Sequence, residues 1–170
     1  TAVGGSVGHL VYQINTTTNR CDTFIYYQAK DVANYTIING SVLEPADILF
    51  GTGTGDRASG SAITGNSGVT HFFFGVAQAT MTADYYGYAQ RTGRCTSVNT
   101  ETPAAAVGDL LCLSATADGE AALVRTIATT PTAAQIESAM ASVFGFVTVA
   151  EVAGTPDLSV VMLCPGLNIV

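Results

Sequence analysis

FFFGVAQATMTADYYGYAQRTG, from Phe72 to Gly93, is the stretch of sequence that decides the fold. Its phenylalanines, valine and tyrosines are residues that favour strands, and Thr82-Ala83-Asp84 is typical of a turn. We therefore predict one strand from Phe72 to Met81, a turn, and a returning strand from Tyr85 to Arg91.

The tyrosines of the returning strand indicate more than a simple core. Side chains alternate between the two faces of a strand, so Tyr85, Tyr86 and Tyr88 cannot all lie on one face. We expect both faces to be covered, one by the core and the other by a partner. Gly87, inside the same strand, predicts a bulge or a close approach of backbone.

Short strands are also predicted on the N-terminal side. HLVYQI ends at Ile14 and TFIYYQA begins at Thr23, and both are rich in β-branched and aromatic residues. They predict a hairpin or two successive strands. Asn39-Gly40 lies between two apolar runs, which is a strong hairpin signal because both residues accept positive φ.

One amphipathic helix is predicted over about residues 132–143. Its apolar positions are Ala133, Ile136, Met140 and Val143, which we expect to face a sheet. Thr132 has a glutamine three residues later, the spacing of a capping box. The glycine-rich segment 51–69 has almost no apolar residue and predicts a long surface loop.

Two short patterns recur along the chain in the same order. PADILF and VGDLLCL each carry an aspartate, Asp47 or Asp109, ahead of an apolar strand, and Phe-Gly precedes a strand at Phe74 and again at Phe144. An aspartate at a turn bonds nearby backbone amides. The two aspartates are therefore expected to be structural.

Composition excludes several classes of function. The chain has 170 residues, which suits one domain, and a net charge of −7 with only six Lys and Arg argues against nucleic acid. No apolar run approaches the roughly 18 residues of a membrane span. The charged fraction is 11%, against about 25% in an average soluble domain, and suggests a surface covered by partners.

The four cysteines form neither a metal site nor a redox motif. Cys21, Cys95, Cys112 and Cys164 contain no CxxC and have no histidine nearby, so we expect unpaired thiols in a reducing cytosol. No cofactor and no metal are predicted.

The order of the motifs resembles that of the decoration (cement) proteins that coat the heads of tailed bacteriophages. The resemblance lies in FGVAQATMTADYYGYAQRTGRC, AAAVGDLLCLSATADGEAAL and FGFVTVAEVAG, over about residues 43–163. It implies a mainly β, compact barrel- or sandwich-like fold called a β-tulip. The positions carried over, expected to be fold determinants, are Gly75, Ala77, Gln78, Tyr85, Tyr86, Gly87, Gln90, Gly108, Asp109, Asp118 and Gly119.

The same resemblance implies a function and a location. Such proteins bind the outer capsid surface of the virion as trimers and stabilise contacts between major capsid subunits. The virion itself is assembled in the host cytoplasm. Tyr88 stands where relatives tend to have tryptophan, and neither the loop 51–69 nor the first 30 residues belongs to the shared pattern. The mode of attachment to the capsid is therefore not implied.

The first eight residues are predicted to form a flexible arm, followed by a single β-rich domain over 9–170. The arm has three glycines and few apolar anchors. We expect it to become ordered against the capsid, with Thr1, Ala2, Val3 and Val7 as candidate contacts.

Two other functions remain open at this point. A carbohydrate-binding or adhesin-like β module would use exposed Tyr85, Tyr86 or Tyr88 to stack on sugars. A small hydrolase would need Asp47, Asp109 or His71 to converge in one pocket.

Overall fold

The computed structural model describes residues 6–16, 20–29, 36–45, 52–54, 73–82, 84–101, 104–114, 117–126, 130, 132–152 and 158–164. Over these residues the chain has ten strands, a 3-10 turn at Val124–Thr126 and one α-helix, α1 (Ala133–Ala141). The strands are β1 (Leu10–Asn15), β2 (Arg20–Ala29), β3 (Val42–Pro45), β4 (Thr52–Thr54), β5 (Gly75–Ala77), β6 (Tyr86–Asn99), β7 (Leu110–Leu113), β8 (Ala121–Leu123), β9 (Gly145–Val152) and β10 (Leu158–Leu163). The predicted mainly β fold with one short helix is confirmed.

Five of the strands close into a barrel. The pairing runs from β2 to β4, β3, β5 and β6 and returns to β2, with β2 and β4 parallel and the other pairs antiparallel. Alternate residues of β2 (Ile25, Tyr27 and Ala29) are buried, as expected when one face of a strand points into a core. The Tyr27 and Phe74 rings meet edge to face inside, with centroids 5.7 Å apart.

A second, antiparallel sheet shares β6 with the barrel and has the order β6-β10-β9-β7-β8. Its core also takes in residues of the barrel wall: Val42 and Val76 pack with the second sheet, while Leu43 and Ala77 pack inside the barrel. The short strands β3 and β5 are therefore buried on both faces. They hold the two layers together.

The shared strand β6 changes partner at Gly93. Residues Tyr86 to Thr92 pair with β2, and Gly93 to Asn99 pair with β10. Gly93 has a φ of +92°, and a Cβ at this position would overlap the carboxylate of Asp22. That carboxylate accepts a hydrogen bond from the Arg94 backbone N–H, with an N···O distance of 3.3 Å. Glycine is required here by both backbone conformation and space.

The hairpin predicted at the N-terminal side is confirmed, because β1 and β2 pair antiparallel from Leu10 opposite Ile25 to Asn15 opposite Arg20. The strands predicted from the opening stretch have different lengths in the structure. The first is reduced to β5, with Met81 forming an isolated bridge to Ile37, and the second continues to Asn99. The second strand is longer because the second sheet extends the pairing beyond Arg91.

Within the single chain, the core covers one face of the returning strand, and the covering of the other face by a partner stays a prediction. Tyr86 and Tyr88 lie on the outer face of β6 and are exposed, and Tyr85 precedes the strand and is exposed as well. The inner face belongs to Gly87 and Ala89. A Cβ on Gly87 would lie 2.7 Å from the Met81 side chain, so the group that approaches Gly87 is a side chain and not the predicted backbone.

Asn39-Gly40 forms a turn, with Gly40 at a φ of +91°, but not the predicted hairpin. The Ser41 N–H closes the turn by donating to the Ile38 carbonyl at 3.0 Å, but no strand pair between the two flanks follows. Ile37 bridges Met81 and Val42 pairs with Val76, so both flanks of the turn pair with the same neighbouring segment. The dipeptide predicted the turn correctly, whereas the strand partner was decided by the barrel.

The predicted helix and its capping box are confirmed. The Gln135 N–H donates to Thr132 Oγ1 at 3.3 Å, and the Thr132 N–H donates to Gln135 Oε1 at 2.9 Å. The predicted buried face is only partly correct: Val143 and Met140 pack on the sheet with Ala139, whereas Ala133 and Ile136 are exposed. Only the C-terminal part of the helix reaches Cys112 and Ala122 of the sheet.

The predicted loop 51–69 begins with a strand, because Thr52–Thr54 is β4 and completes the barrel. The remainder of that segment lies outside the described residues, as does Asp47 of the first repeat. In the second repeat Gly108-Asp109 is followed by β7, and both Phe-Gly pairs lead directly into strands, β5 and β9.

We predict that Gly93→Ala destabilises the protein more than Gly108→Ala, although both glycines have a φ of +92°. Nothing lies within 4 Å of a Cβ on Gly108, so that substitution carries the backbone strain alone, about 1 to 2 kcal/mol. On Gly93 the new methyl group must also displace Asp22, which adds about 1 to 3 kcal/mol. Urea unfolding of the two variants measures the difference. Equal losses of unfolding free energy would contradict the conclusion that the space at Gly93, where β6 changes partner, requires glycine.

Candidate binding surface

No catalytic residue is predicted, and of the three residues that the hydrolase alternative would need only Asp109 lies within the described residues. Asp109 accepts hydrogen bonds from Arg125 Nε at 2.9 Å and from the Ala106 N–H at 2.8 Å. The bond from Arg125 holds the pKa of the Asp109 carboxyl below its usual value. A carboxylate held ionised in this way is suited to fixing a turn. Asp47 and His71 lie outside the described residues.

Metal binding and membrane spanning find no support among the described residues. They contain no group of three His, Cys, Asp or Glu side chains that could hold a metal ion. No helix among the described residues is long and apolar enough to cross a bilayer.

All four cysteines are free thiols. Cys95 and Cys112 are buried in the cores, and burial raises the pKa of Cys112 to about 12. A thiol with so high a pKa stays protonated and unreactive at neutral pH. Cys21 is exposed and is the second residue of β2, beside the turn of the first hairpin.

Several of the predicted fold determinants occupy crowded or turn positions. A Cβ on Gly75 would lie 2.8 Å from the Ala89 Cβ, and Gly119 has a φ of +68°. Gln78 donates from Nε2 to the Val76 carbonyl at 3.0 Å. Tyr85 and Tyr86, by contrast, present their side chains to solvent.

Strand β1 carries an exposed apolar row, which we call the β1 ribbon: Leu10, Tyr12 and Ile14. These residues alternate along the strand and therefore lie on one face. Tyr12 is 64% exposed and Ile14 is 70% exposed. Val7, one of the candidate capsid contacts, is also exposed three residues before the ribbon begins. Thr1, Ala2 and Val3 lie outside the described residues.

The β1 ribbon lies on an edge strand. Among the described strands β1 pairs only with β2, and it is the first strand in the order of the sheet. The start of the hairpin is fixed by the Gly8 N–H, which donates to the Tyr26 carbonyl at 2.7 Å. Soluble proteins usually protect such an edge with charges, proline or a bulge. LVYQIN, the sequence of β1, contains no charge and no proline.

A second exposed apolar surface, the tyrosine face, consists of Tyr26 from β2 and Tyr86 and Tyr88 from β6. Tyr26 lies directly opposite Tyr88 in the register. The Tyr26 ring stacks on Tyr86, with centroids 5.9 Å apart and an interplanar angle of 16°, and its centroid lies 5.3 Å from that of Tyr88. The rings hold one another in place while remaining open to solvent.

An open groove of about 500 Å³ adjoins the tyrosine face, and we call it the aromatic groove. It runs between β1 and the start of β6. Its lining residues are Val11, Tyr12, Gln13, Phe24, Gln78 and Tyr88. None of these side chains is charged.

Comparisons with known proteins give one partial fold likeness. No family model matches the chain. No curated protein is significantly similar to it in sequence. A solved structure described as the head fiber gp8.5 N base in bacteriophage phi29 has a TM-score of 0.48 and 15% identity, over 82% of this chain and 92% of that chain. A likeness of this degree supports no conclusion about function.

We predict that Asp109 stabilises the fold only while it is ionised. Its folded-state pKa is lowered, so its contribution is complete above the unfolded-state pKa of about 3.9 and is lost as the pH falls through the folded value. The difference in unfolding free energy between the unmodified protein and Asp109→Asn should therefore be constant from about pH 5 to 7 and shrink below about pH 4.

Arg125→Gln supplies the matched control. It removes the partner of the same ion pair, so its effect and that of Asp109→Asn should be less than additive in the double variant. Chemical unfolding at a series of pH values measures all four proteins. A difference that stays constant down to pH 3 would show that Asp109 is not held ionised by Arg125.

Proposed function

We propose that this chain is a structural protein of a phage virion, which binds the outer surface of the capsid as a homotrimer and stabilises contacts between major capsid subunits. It acts by adhesion and needs no cofactor. The observation that carries the proposal is the β1 ribbon, an uncharged apolar row on an unprotected edge strand.

An edge strand of this kind suits a protein partner. The N–H and C=O groups on its outer side, which no other described strand pairs with, can pair with a strand of another chain, while alternate side chains fill pockets on that chain. Burying Tyr12 and Ile14 would contribute about 1.5 to 3 kcal/mol each, and each added backbone hydrogen bond about 1 kcal/mol. Val7, which is exposed three residues before the ribbon, is included in the proposed contact.

The sequence resemblance to phage decoration proteins supports the assignment of that partner as the capsid. The shared motif residues are distributed over both layers of the fold: Gly75 in β5, Gln90 in β6, Asp109 before β7 and Gly119 before β8. The resemblance therefore extends over several strands of both layers, although β1, β2 and β4 lie outside the shared pattern.

Trimerisation makes a modest contact sufficient. Once one protomer is bound, the other two bind at a high effective concentration, so three weak contacts give a tight complex. The scarcity of charge, 11% of residues, also suits a chain that covers part of its surface with copies of itself.

We predict that replacing Tyr12 and Ile14 together by threonine reduces capsid binding by about a hundredfold, because two buried apolar side chains are lost from the contact. Threonine keeps the preference for strand structure. Co-sedimentation with phage heads that lack this chain measures the affinity, and near-UV circular dichroism verifies the fold.

The matched control replaces Val107 and Ile136 by threonine. These residues are also exposed and apolar but lie outside β1, before β7 and on α1. Their replacement should leave the affinity unchanged. If the control variant lost binding and the β1 variant kept it, the capsid contact would lie on the other layer of the domain.

We predict a particle of about three chains in solution, from the resemblance and the low surface charge. Multi-angle light scattering at micromolar concentration measures the mass, against 17.4 kDa for one chain. A monodisperse monomer or dimer would contradict the homotrimer as a property of the free protein.

A further inference from the structure

The aromatic groove and the tyrosine face together form a surface that shares only Tyr12 with the β1 ribbon. Val11 and Gln13, which alternate with the ribbon residues along β1, line the groove, and Tyr12 borders both surfaces. Tyr88 belongs both to the groove and to the tyrosine face. The two features are therefore continuous.

The groove combines aromatic rings with side-chain amides. Phe24 and Tyr88 provide aromatic faces, and Gln13 and Gln78 provide amide groups at the same groove. Side chains that combine an apolar ring or stem with a polar end suit ligands that are apolar on one face and hydroxylated at the edge. The volume of about 500 Å³ lies within the range of about 300 to 1,000 Å³ of small-ligand sites.

Two of the polar and aromatic groups are fixed before any ligand arrives. The Gln78 amide nitrogen donates to the Val76 carbonyl at 3.0 Å and lies 3.8 Å from the Cys95 sulfur, which orients the amide in the groove. The Tyr88 ring is packed against Tyr26. Groups held in this way lose little conformational entropy on binding.

We propose that the aromatic groove and the tyrosine face bind neutral carbohydrate. The C–H face of a pyranose ring stacks on Tyr88 and its neighbours, and the ring hydroxyls hydrogen-bond to the amides of Gln78 and Gln13. The ligand is uncharged because no charged side chain lines the groove and the chain has a net charge of −7. This site goes beyond the proposed capsid role and does not depend on it.

The test uses the full chain on a printed array of neutral and sialylated glycans, followed by calorimetric titration with the neutral oligosaccharide that binds best. We expect binding to neutral glycans at affinities that do not change between low and high salt, because no ion pair forms. Tyr88→Ala should weaken binding about tenfold or more through loss of the stacking surface, and Gln78→Ala several-fold through loss of a hydrogen bond.

The matched control is Tyr85→Ala. Tyr85 is an exposed tyrosine that lies before β6 and outside the groove, so its loss should leave affinity unchanged. Tyr88→Leu, which retains apolar volume and lacks the aromatic face, guards against a folding defect and should also lose binding.

Three outcomes would overturn the proposal: no neutral glycan bound, binding retained by both Tyr88 variants, or binding only to sialylated glycans in a salt-dependent manner. A loss of capsid binding in folded Tyr88→Leu, without glycan binding in the unmodified protein, would assign the tyrosine face to the capsid instead. Failure of the glycan test alone leaves capsid attachment through β1 unaffected.

Discussion

The change of partner within β6, at the point where Gly93 lies against Asp22, is the constraint on which the rest of the structure depends. One strand of 14 residues serves as a wall of the barrel and as the first strand of the second sheet. It can do so only if its backbone adopts a positive φ at Gly93 and if the Asp22 carboxylate holds the Arg94 amide beside it. Without that bend, the two layers could not share β3 and β5 as common packing surfaces.

The division of buried and exposed surface follows from this arrangement. The two cores bury the inner faces of β2, β3, β5 and β6. The outer faces of β2 and β6 and strand β1 at the end of the sheet are therefore available for binding. A β1 strand without charge would be an aggregation hazard if nothing covered it. In the proposed capsid-bound state, the capsid would cover the β1 ribbon. The aromatic groove meets the ribbon at Tyr12 and continues from there to the tyrosine face on β2 and β6.

Local sequence signals predicted elements well and their partners poorly. The capping box of Thr132 and Gln135 and the turn at Asn39-Gly40 were both predictable, because each depends on a few adjacent residues. The barrel closure was not readable, because it requires β4, three residues within a glycine-rich segment, to pair with both β2 and β3. The β1 ribbon did have a signal, the alternation of Leu10, Tyr12 and Ile14, but alternation alone does not say whether the apolar face is buried. The groove could not be predicted from the sequence, because residues that line it, such as Val11 and Gln78, come together only in the folded chain.

Electron microscopy of phage heads purified with and without this chain tests the central claim most directly, since it reports location, symmetry and contacts at once. The account predicts additional density on the outer surface of heads that contain the chain, with three-fold symmetry, into which three domains fit with β1 directed towards the shell. Heads without density at that surface, or density in which β1 points to solvent and another face meets the shell, would contradict it.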